Sequence, residues 1–499
     1  MKGTREMIFA EIDAWLDDID VPNVLLIAGS PGAGKSAIAS SLVSRLIKRR
    51  RLGSRFFFKR GDVTLSDPAV LWRSMAYDLA QHDPTYAENL VEAVKGRSVL
   101  HGMPDVALHF KVLIEEPFTK SYTDSTHHTV PVIIIDALDE CDPHTAQRKH
   151  LMDTLMQWSR LSKTFKLIVT SRDERFIPEQ FRAVCKQMAL PTGDGVSACA
   201  NEDIRFFFEQ RFAGLAGSLS PAWSWQRVLD VLTAHAAGLF IWAETVVRFV
   251  EQGLPVERLD LVLKGDLGGG DDITKLYRQV LDLSFPHANG RTLEVFKHVV
   301  GTIVLAKRPV LHEDLPQLVL ESASSVKFIL DKLSSVISIG EMDKCLRIGH
   351  LSFSEFLCDG QRCPKEFLIN RDRGSRKLAI ACFRLMKDKL KFNICDLESS
   401  DLLNKDVHDL GQRIEKKIST DLMYSCRFWS AHLRDIMVDS EDDNGFLIKE
   451  VDHFLCHRLL FWLEVMSLMK DVGAANIALL TLASWIQVSS FTIVLSIHV

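Results

Sequence analysis

The sequence predicts an α/β fold with a parallel sheet, followed by a long helical region, on three observations. The apolar run Val24-Leu25-Leu26-Ile27-Ala28 reads as a buried strand. It leads through Gly29-Ser30-Pro31-Gly32-Ala33-Gly34-Lys35-Ser36 into an amphipathic helix carrying Ile38, Leu42 and Leu46. A second apolar strand, Val132-Ile133-Ile134-Ile135, ends in Asp136, with Asp139 and Glu140 just beyond it. A third, Lys166-Leu167-Ile168-Val169-Thr170, ends in Ser171-Arg172. Strands alternating with helices pair in parallel through right-handed crossovers. Ligands then bind beyond the carboxyl ends of the strands, where these three polar endings lie.

The first ending has the spacing GxxxxGK[ST], which is the phosphate-binding loop. Its glycines let successive backbone N–H groups curl around an anion, and the helix that follows directs its positive end at the same point. Lys35 supplies a charge for the β- and γ-phosphates, and the Ser36 hydroxyl a ligand for Mg²⁺. In the second ending Asp136 is placed to hold Mg²⁺, and Asp139 or Glu140 to orient and polarise a water. Arg172, at the edge of the third strand, is placed to sense a γ-phosphate.

In chain order, residues 4–18 predict an amphipathic lead-in helix with Thr4 as its cap and Ile8, Ile12, Trp15 and Leu16 on one face. The basic run Lys48-Arg49-Arg50-Arg51 closes the helix after the phosphate loop, where cations suit the negative helix end. Ser54–Phe58 is a strand candidate with Arg60 just past its end. Asp67-Pro68 starts a helix, another covers Val106–Ile114, and Ser121–Thr129 is a polar loop. After Pro191 the pattern becomes helical: Asp203–Phe212, Trp225–Leu232, and an apolar helix opened by Gly238-Leu239-Phe240 and running to Phe249. Gly265–Gly270 is a hinge candidate, and Asp271 or Asp272 caps the helix after it. Helices at 291–305, 312–320 and 324–333 and a hairpin of Ser335–Ile339 with Cys345–Ile348 predict a winged helix. That module leads into His350-Leu351-Ser352-Phe353. Helices continue from Pro364 to about Trp485, interrupted by an acidic loop, Ser440–Gly445. The expected domains are therefore a lead-in helix (1–20), a nucleotide-binding α/β domain (21–192), a helical domain (193–268), a winged helix (269–360), a C-terminal helical domain (361–487) and an apolar tail (488–499).

Composition excludes some classes. A formal net charge of −5 on 499 residues leaves no electrostatic footprint for general nucleic-acid binding. The ten cysteines have no CxxC pair or zinc spacing, so free thiols in a reducing compartment are expected, and the N-terminus has no secretory apolar core. Both point to the cytoplasm. From Val472 to Val499 there is no Asp, Glu, Lys or Arg, but Asn476, Thr481, Gln487 and Ser489-Ser490 dilute the stretch. A packed helix over Ala475–Ile486 with a β-branched tail is expected rather than a membrane anchor.

With these pieces in order, the chain resembles the NACHT-domain NTPases of fungi, in the STAND class of switch-like P-loop ATPases. The resemblance runs over GSPGAGKS at 29–36, VIIIDALDEC at 132–141, IVTSR at 168–172, GLFIWAE at 238–244 and HLSFSEFL at 350–357. It implies an ASCE/AAA+-like α/β domain followed by helical, winged-helix and further all-α regions. The implied ligands are ATP, ADP and Mg²⁺, with Gly29–Ser36 on the phosphates, Ser36 and Asp136 on the metal, and Asp139, Glu140 and Arg172 catalytic. Gly238 and Leu239 match the segment lining the base, and His350 the histidine that touches the β-phosphate of ADP in the closed form. The implied function is a signalling switch in innate immunity or non-self recognition: closed with ADP, self-associating with ATP, slowly hydrolysing. Two departures stand out, Ala137 where many NACHT proteins have glycine and Phe240 where related sequences have proline. The usual N-terminal effector and C-terminal repeats are not matched. Two rival readings are a scaffold with degenerate turnover and a P-loop metabolic kinase; the Asp139-Glu140 pair and the winged-helix pattern argue against the kinase.

Overall fold

The computed structural model describes residues 3–60, 62, 64–95, 97, 105–122, 130–142, 147–172, 177–217, 223–264, 273–286, 288–399, 402–436 and 445–497, with backbone alone at 194 and 488–497. The hinge candidate at 265–270, the caps Asp271 and Asp272, most of the polar loop at 121–129 and the acidic loop at 440–444 lie outside the described residues. The chain divides into two compact units: residues 1–276 with 350–352, and residues 277–349 with 353–499.

The first unit is built on a five-stranded sheet of β1 (Val24–Gly29), β2 (Leu52–Phe57), β3 (Val132–Asp136), β4 (Leu167–Ser171) and β5 (Lys186–Leu190), in the order β2-β3-β4-β1-β5. Every pairing is parallel. The strand carrying Arg172 at its end, β4, therefore separates the phosphate-loop strand from the acidic strand, so all three endings emerge side by side. Side chains alternate across the sheet as period two requires. Leu26, Ile133, Ile135, Leu167 and Val169 face a core with Trp72, Phe110, Phe118 and Trp158. Leu25, Ile27, Val132, Ile134 and Ile168 face a second core with Phe9, Ile12, Trp15 and Leu42. The result is a three-layer sandwich.

Several local expectations are corrected. The lead-in helix spans Glu6–Asp17, and its N-cap is Arg5 in the left-handed region (φ 60°), with no side-chain cap, rather than Thr4. The single helix expected from Val106 is a short α-turn followed by a π-helix over Phe110–Glu115. The Tyr86 hydroxyl donates to the carbonyl of Leu113 within that turn. Strand β5 has no counterpart in the sequence reading. It is a sheet edge whose sequence, KQMAL, carries little strand signal and is placed by pairing with β1. Helix Pro68–His82 starts as expected, with Asp67 accepting from the Ala69 N–H. The basic run ends its helix and also pairs with the lead-in helix, Arg49 with Asp13 and Arg51 with Asp17. Helices Ala198–Phe212, Trp225–Ala236, Phe240–Glu251 and Pro255–Lys264 complete this unit.

In the second unit, helices Gly290–Leu305, Leu315–Val319 and Ala323–Lys332 precede an antiparallel hairpin of β6 (Ile337–Ile339) and β7 (Leu346–Ile348). Helices Arg371–Lys389, Leu410–Lys417, Thr420–Arg434, Gly445–His457 and Leu459–Leu468 follow. Phe383, Trp429, Phe454 and Trp462 form one of its cores, with the Trp462 indole donating to the Cys426 carbonyl at 2.9 Å. The last helix, Val472–Ile497, continues through the stretch expected to be a separate tail. Its buried side is Ala475, Ala478, Leu482 and Trp485. Among the described residues no helix is long and apolar enough to cross a membrane. All ten cysteines are free thiols.

Candidate functional site

The phosphate loop owes its shape to glycines at fixed points. Gly32 and Gly34 have φ of 86° and 95°, where an L side chain is strained. A Cβ on Gly32 would stand 2.0 Å from Cγ2 of Ile241, so the loop also needs a bare Cα to pass the first turn of helix Phe240–Glu251. The loop carbonyls are bonded away from its centre. Lys35 Nζ donates to Gly29 and Ser30 at 2.7 and 2.9 Å. The Ile241 N–H donates to Gly32 at 3.2 Å, and Arg5 Nη2 to Ala33 at 2.9 Å. Ser30 is also held through its hydroxyl, 3.0 Å from that of Thr192. The helix that follows, Lys35–Lys48, has Gly34 as N-cap and no side-chain cap. Its first-turn N–H groups are thus left for an anion, which its dipole favours. Burial holds the Lys35 ammonium below the usual lysine range, against the pull of Asp139, Asp136 and Glu140.

At the end of β3, Asp136 is 2% exposed and accepts from the Thr170 hydroxyl at 2.5 Å. The Ser36 hydroxyl bonds the same carboxyl group. Burial raises this carboxyl above its ordinary range, opposed by those two hydrogen bonds and by Lys35. The Thr170 oxygen in turn accepts the N–H of Ala137 at 2.9 Å. Ala137 has φ 55° and starts a 3-10 turn, Leu138–Glu140. An alanine therefore sits here in the left-handed conformation that favours glycine.

Within this turn the two acids have different surroundings. Asp139 is buried, and its carboxylate is taken by Arg172, whose backbone N–H and Nε each lie 3.0 Å from one oxygen. Glu140 is partly buried and accepts the backbone N–H of Arg60 at 2.9 Å. Burial raises its pKa, which the Arg60 N–H and the charges of Arg60 and Arg172 oppose and Asp139 reinforces.

His350 groups with this first unit as part of the short segment His350–Ser352, whose flanking residues Gly349 and Phe353 belong to the second. The Ser352 N–H, which has only a proton to give, donates to its Nδ1 at 3.1 Å, with the Ser352 hydroxyl at 2.7 Å from the same atom. The ring proton therefore sits on Nε2. Burial, with the cations of Arg172 and Lys35, pushes the imidazole pKa down to about 4, so the ring is neutral at pH 7. Gly238 has φ 85°, and a Cβ there would stand 2.8 Å from Val196. Leu239 is buried at the N-cap of helix Phe240–Glu251, and its Cδ2 would lie 3.8 Å from a Cβ on Gly32.

The structure thus brings together Lys35, Ser36, Asp136, Asp139, Glu140, Arg172 and His350, and sets Gly238 and Leu239 beside the loop. Sequence reasoning missed Arg5, Thr192, Ile241 and Thr170 as members of the site. Only Thr170 had a signal, a hydroxyl at the carboxyl end of an apolar strand. For Mg²⁺, Ser36 and Asp136 already form a hydrogen-bonded donor pair. Among the described residues no cluster of three or more His, Cys, Asp or Glu is set to hold a metal. An ion here fits a site completed by phosphate oxygens and water.

The fold is that of a P-loop NTPase.

Residues 3–172 match the family model described as Nephrocystin 3, N-terminal. No curated protein matches the sequence. Among solved structures the chain is similar to a signal transduction ATPase with numerous domains (STAND) from Pyrococcus horikoshii that carries a tetratricopeptide repeat sensor. The identity is 13% and the TM-score 0.42, over 95% of this chain and 64% of that one. This chain thus spans under two thirds of the length of that protein. It is also similar to the RuvB Holliday junction branch migration motor of Thermotoga maritima, at 11% identity and TM-score 0.27 over 70% and 94% of the two chains. A third similarity is to Drosophila ORC bound to DNA, at 11% identity and TM-score 0.27 over 97% and 70%.

Proposed function

We propose that this chain is a nucleotide-operated switch of the STAND type, binding ATP and ADP with Mg²⁺ and hydrolysing ATP slowly. One observation carries the reading. An uncapped helix N-terminus, a lysine folded onto its own loop and a Ser36–Asp136 hydrogen bond meet at the carboxyl ends of β1 and β3, across the intervening β4. That arrangement suits a polyphosphate with its metal.

The residues divide the work. The N–H groups of the loop and Lys35 hold the phosphates. Ser36 and Asp136 hold Mg²⁺, which supplies neutralisation of phosphate charge when bound. Glu140 takes the proton of the attacking water as oxygen adds to the γ-phosphorus and the bond to the β-phosphate oxygen breaks. Asp139, saturated by Arg172, acts as the anchor of that arginine, and Arg172 answers the γ-phosphate. Neutral His350 offers its Nε2 proton to a phosphate of ADP and keeps the closed form, in which the segment 269–360 acts as a winged helix. Exchange for ATP opens the chain and lets it self-associate in the cytoplasm as the signalling form, in an immune or non-self response. For this to work the two nucleotides must bind the two forms with different affinity.

The test is to purify the chain, denature it and identify the released nucleotide by chromatography beside Lys35→Ala. Near-stoichiometric ADP from the unmodified chain alone supports the reading; none from either points to a binding scaffold. Glu140→Gln is expected to keep nucleotide affinity and lose at least tenfold in turnover. His350→Ala is expected to raise the oligomer fraction in ATP by light scattering, and an unchanged monomer discards the lock.

A further inference from the structure

The acidic turn is gripped from outside by a residue with no assigned role. Strand β2 pairs with β3 as far as Phe57 opposite Asp136, and the Phe58 N–H extends the ladder to the Asp136 carbonyl at 3.0 Å. That pairing delivers Arg60 to the turn, where it bonds twice. Its backbone N–H donates to Glu140 Oε2 at 2.9 Å, and its side-chain Nη2 to the Asp139 carbonyl at 2.8 Å. A third bond, from the Asp142 N–H to the Ser66 carbonyl at 2.9 Å, ties down the far end of the turn. The turn's own bonds are short-range: Glu140 N–H to the Ala137 carbonyl and Cys141 N–H to the Leu138 carbonyl, at 2.8 and 3.2 Å.

We infer that Arg60 is a positioning residue that sets the Glu140 carboxylate for water activation. It clamps the backbone at Asp139 with its guanidinium and holds one Glu140 oxygen with its amide. The inference rests on the reading of Glu140 as the water-activating base. The two bonds act together, because the guanidinium fixes where the amide stands and the amide fixes one carboxylate oxygen, leaving the other for a water. The charged groups facing Glu140 are Asp139, Arg60 and Arg172, with Lys35 also coupled to it. Arg60 favours the ionised carboxylate that a base must be, against burial and Asp139.

The experiment compares the unmodified chain with Arg60→Ala and Arg60→Lys in three readouts: affinity for ATP, hydrogen exchange over residues 137–142, and turnover against pH. Arg60→Ala is expected to bind ATP within about twofold of the unmodified chain. Exchange at the Glu140 and Cys141 amides should speed up at least tenfold. Turnover should fall ten- to a hundredfold, with its acid limb displaced to higher pH. Arg60→Lys keeps the charge without the planar fork and should recover part of the rate and the acid limb while exchange stays fast. Unchanged exchange in Arg60→Ala overturns the clamp. Fast exchange with unchanged turnover overturns the positioning role. A chain that binds ATP without measurable turnover overturns hydrolysis itself, and exchange then still decides whether Arg60 holds the turn.

Discussion

Ala137 holds its backbone at φ 55°, in a region that costs an L residue roughly 1 kcal/mol or more. Ala137→Gly relieves that cost and gives part back as unfolded-state entropy. A stabilisation of up to about 1 kcal/mol is expected, read as a higher urea midpoint. A lower midpoint would show that the methyl group packs usefully there. His350 yields a pH prediction with a definite sign. Its pKa is depressed from 6.5 to about 4 in the folded chain, so between those values the unfolded chain binds more protons. Its contribution is full above about pH 6.5 and is lost as pH falls towards 4. His350→Gln keeps a donor and removes the titration, so its urea midpoint should fall less over that window; an identical slope would show that the imidazole does not set it. A bound phosphate favours the imidazolium, so ADP should narrow the difference.

The elements meet at the phosphate loop through contacts that no motif announces. The GxxxxGK[ST] spacing is legible because each position answers to local backbone geometry, and the acidic strand because apolar runs ending in charge are rare. The grip on the loop by Ile241, Thr192 and Arg5 is a matter of which distant segment packs there, so the sequence carried no sign of it. Strand β5 was missed for the same reason, since an edge strand takes its conformation from its partner. Gly32 gives a direct test. Its Cβ would meet Ile241 Cγ2 at 2.0 Å, so Gly32→Ala should lower the unfolding midpoint and weaken nucleotide binding at least tenfold. Adding Ile241→Ala should recover part of the stability, the remainder being strain at φ 86°. Equal loss in the single and double variants would place the whole cost in the backbone.

At the scale of the molecule, two compact units carry different burdens, and the residues proposed to bind nucleotide all belong to the first. A ligand stabilises only what binds it, by about 2.7 kcal/mol at a hundred times its Kd. Calorimetry is therefore expected to show two transitions, with Mg²⁺ and ADP raising one and leaving the other in place. A uniform shift of both would mean that the units unfold as one. The sequence by itself determined the parallel α/β start, the position of the phosphate loop, the acidic and arginine strand ends and the helical character of the rest. Those depend on residue type and short-range period, which are written along the chain. Only the tertiary structure decided that β4 stands between the loop strand and the acidic strand. It also decided that Asp139 is spent on Arg172 while Glu140 answers to Arg60, and that His350 joins the first unit as a neutral donor. Each of these depends on residues tens to hundreds of positions apart, which burial and hydrogen bonding bring together only when the chain is folded.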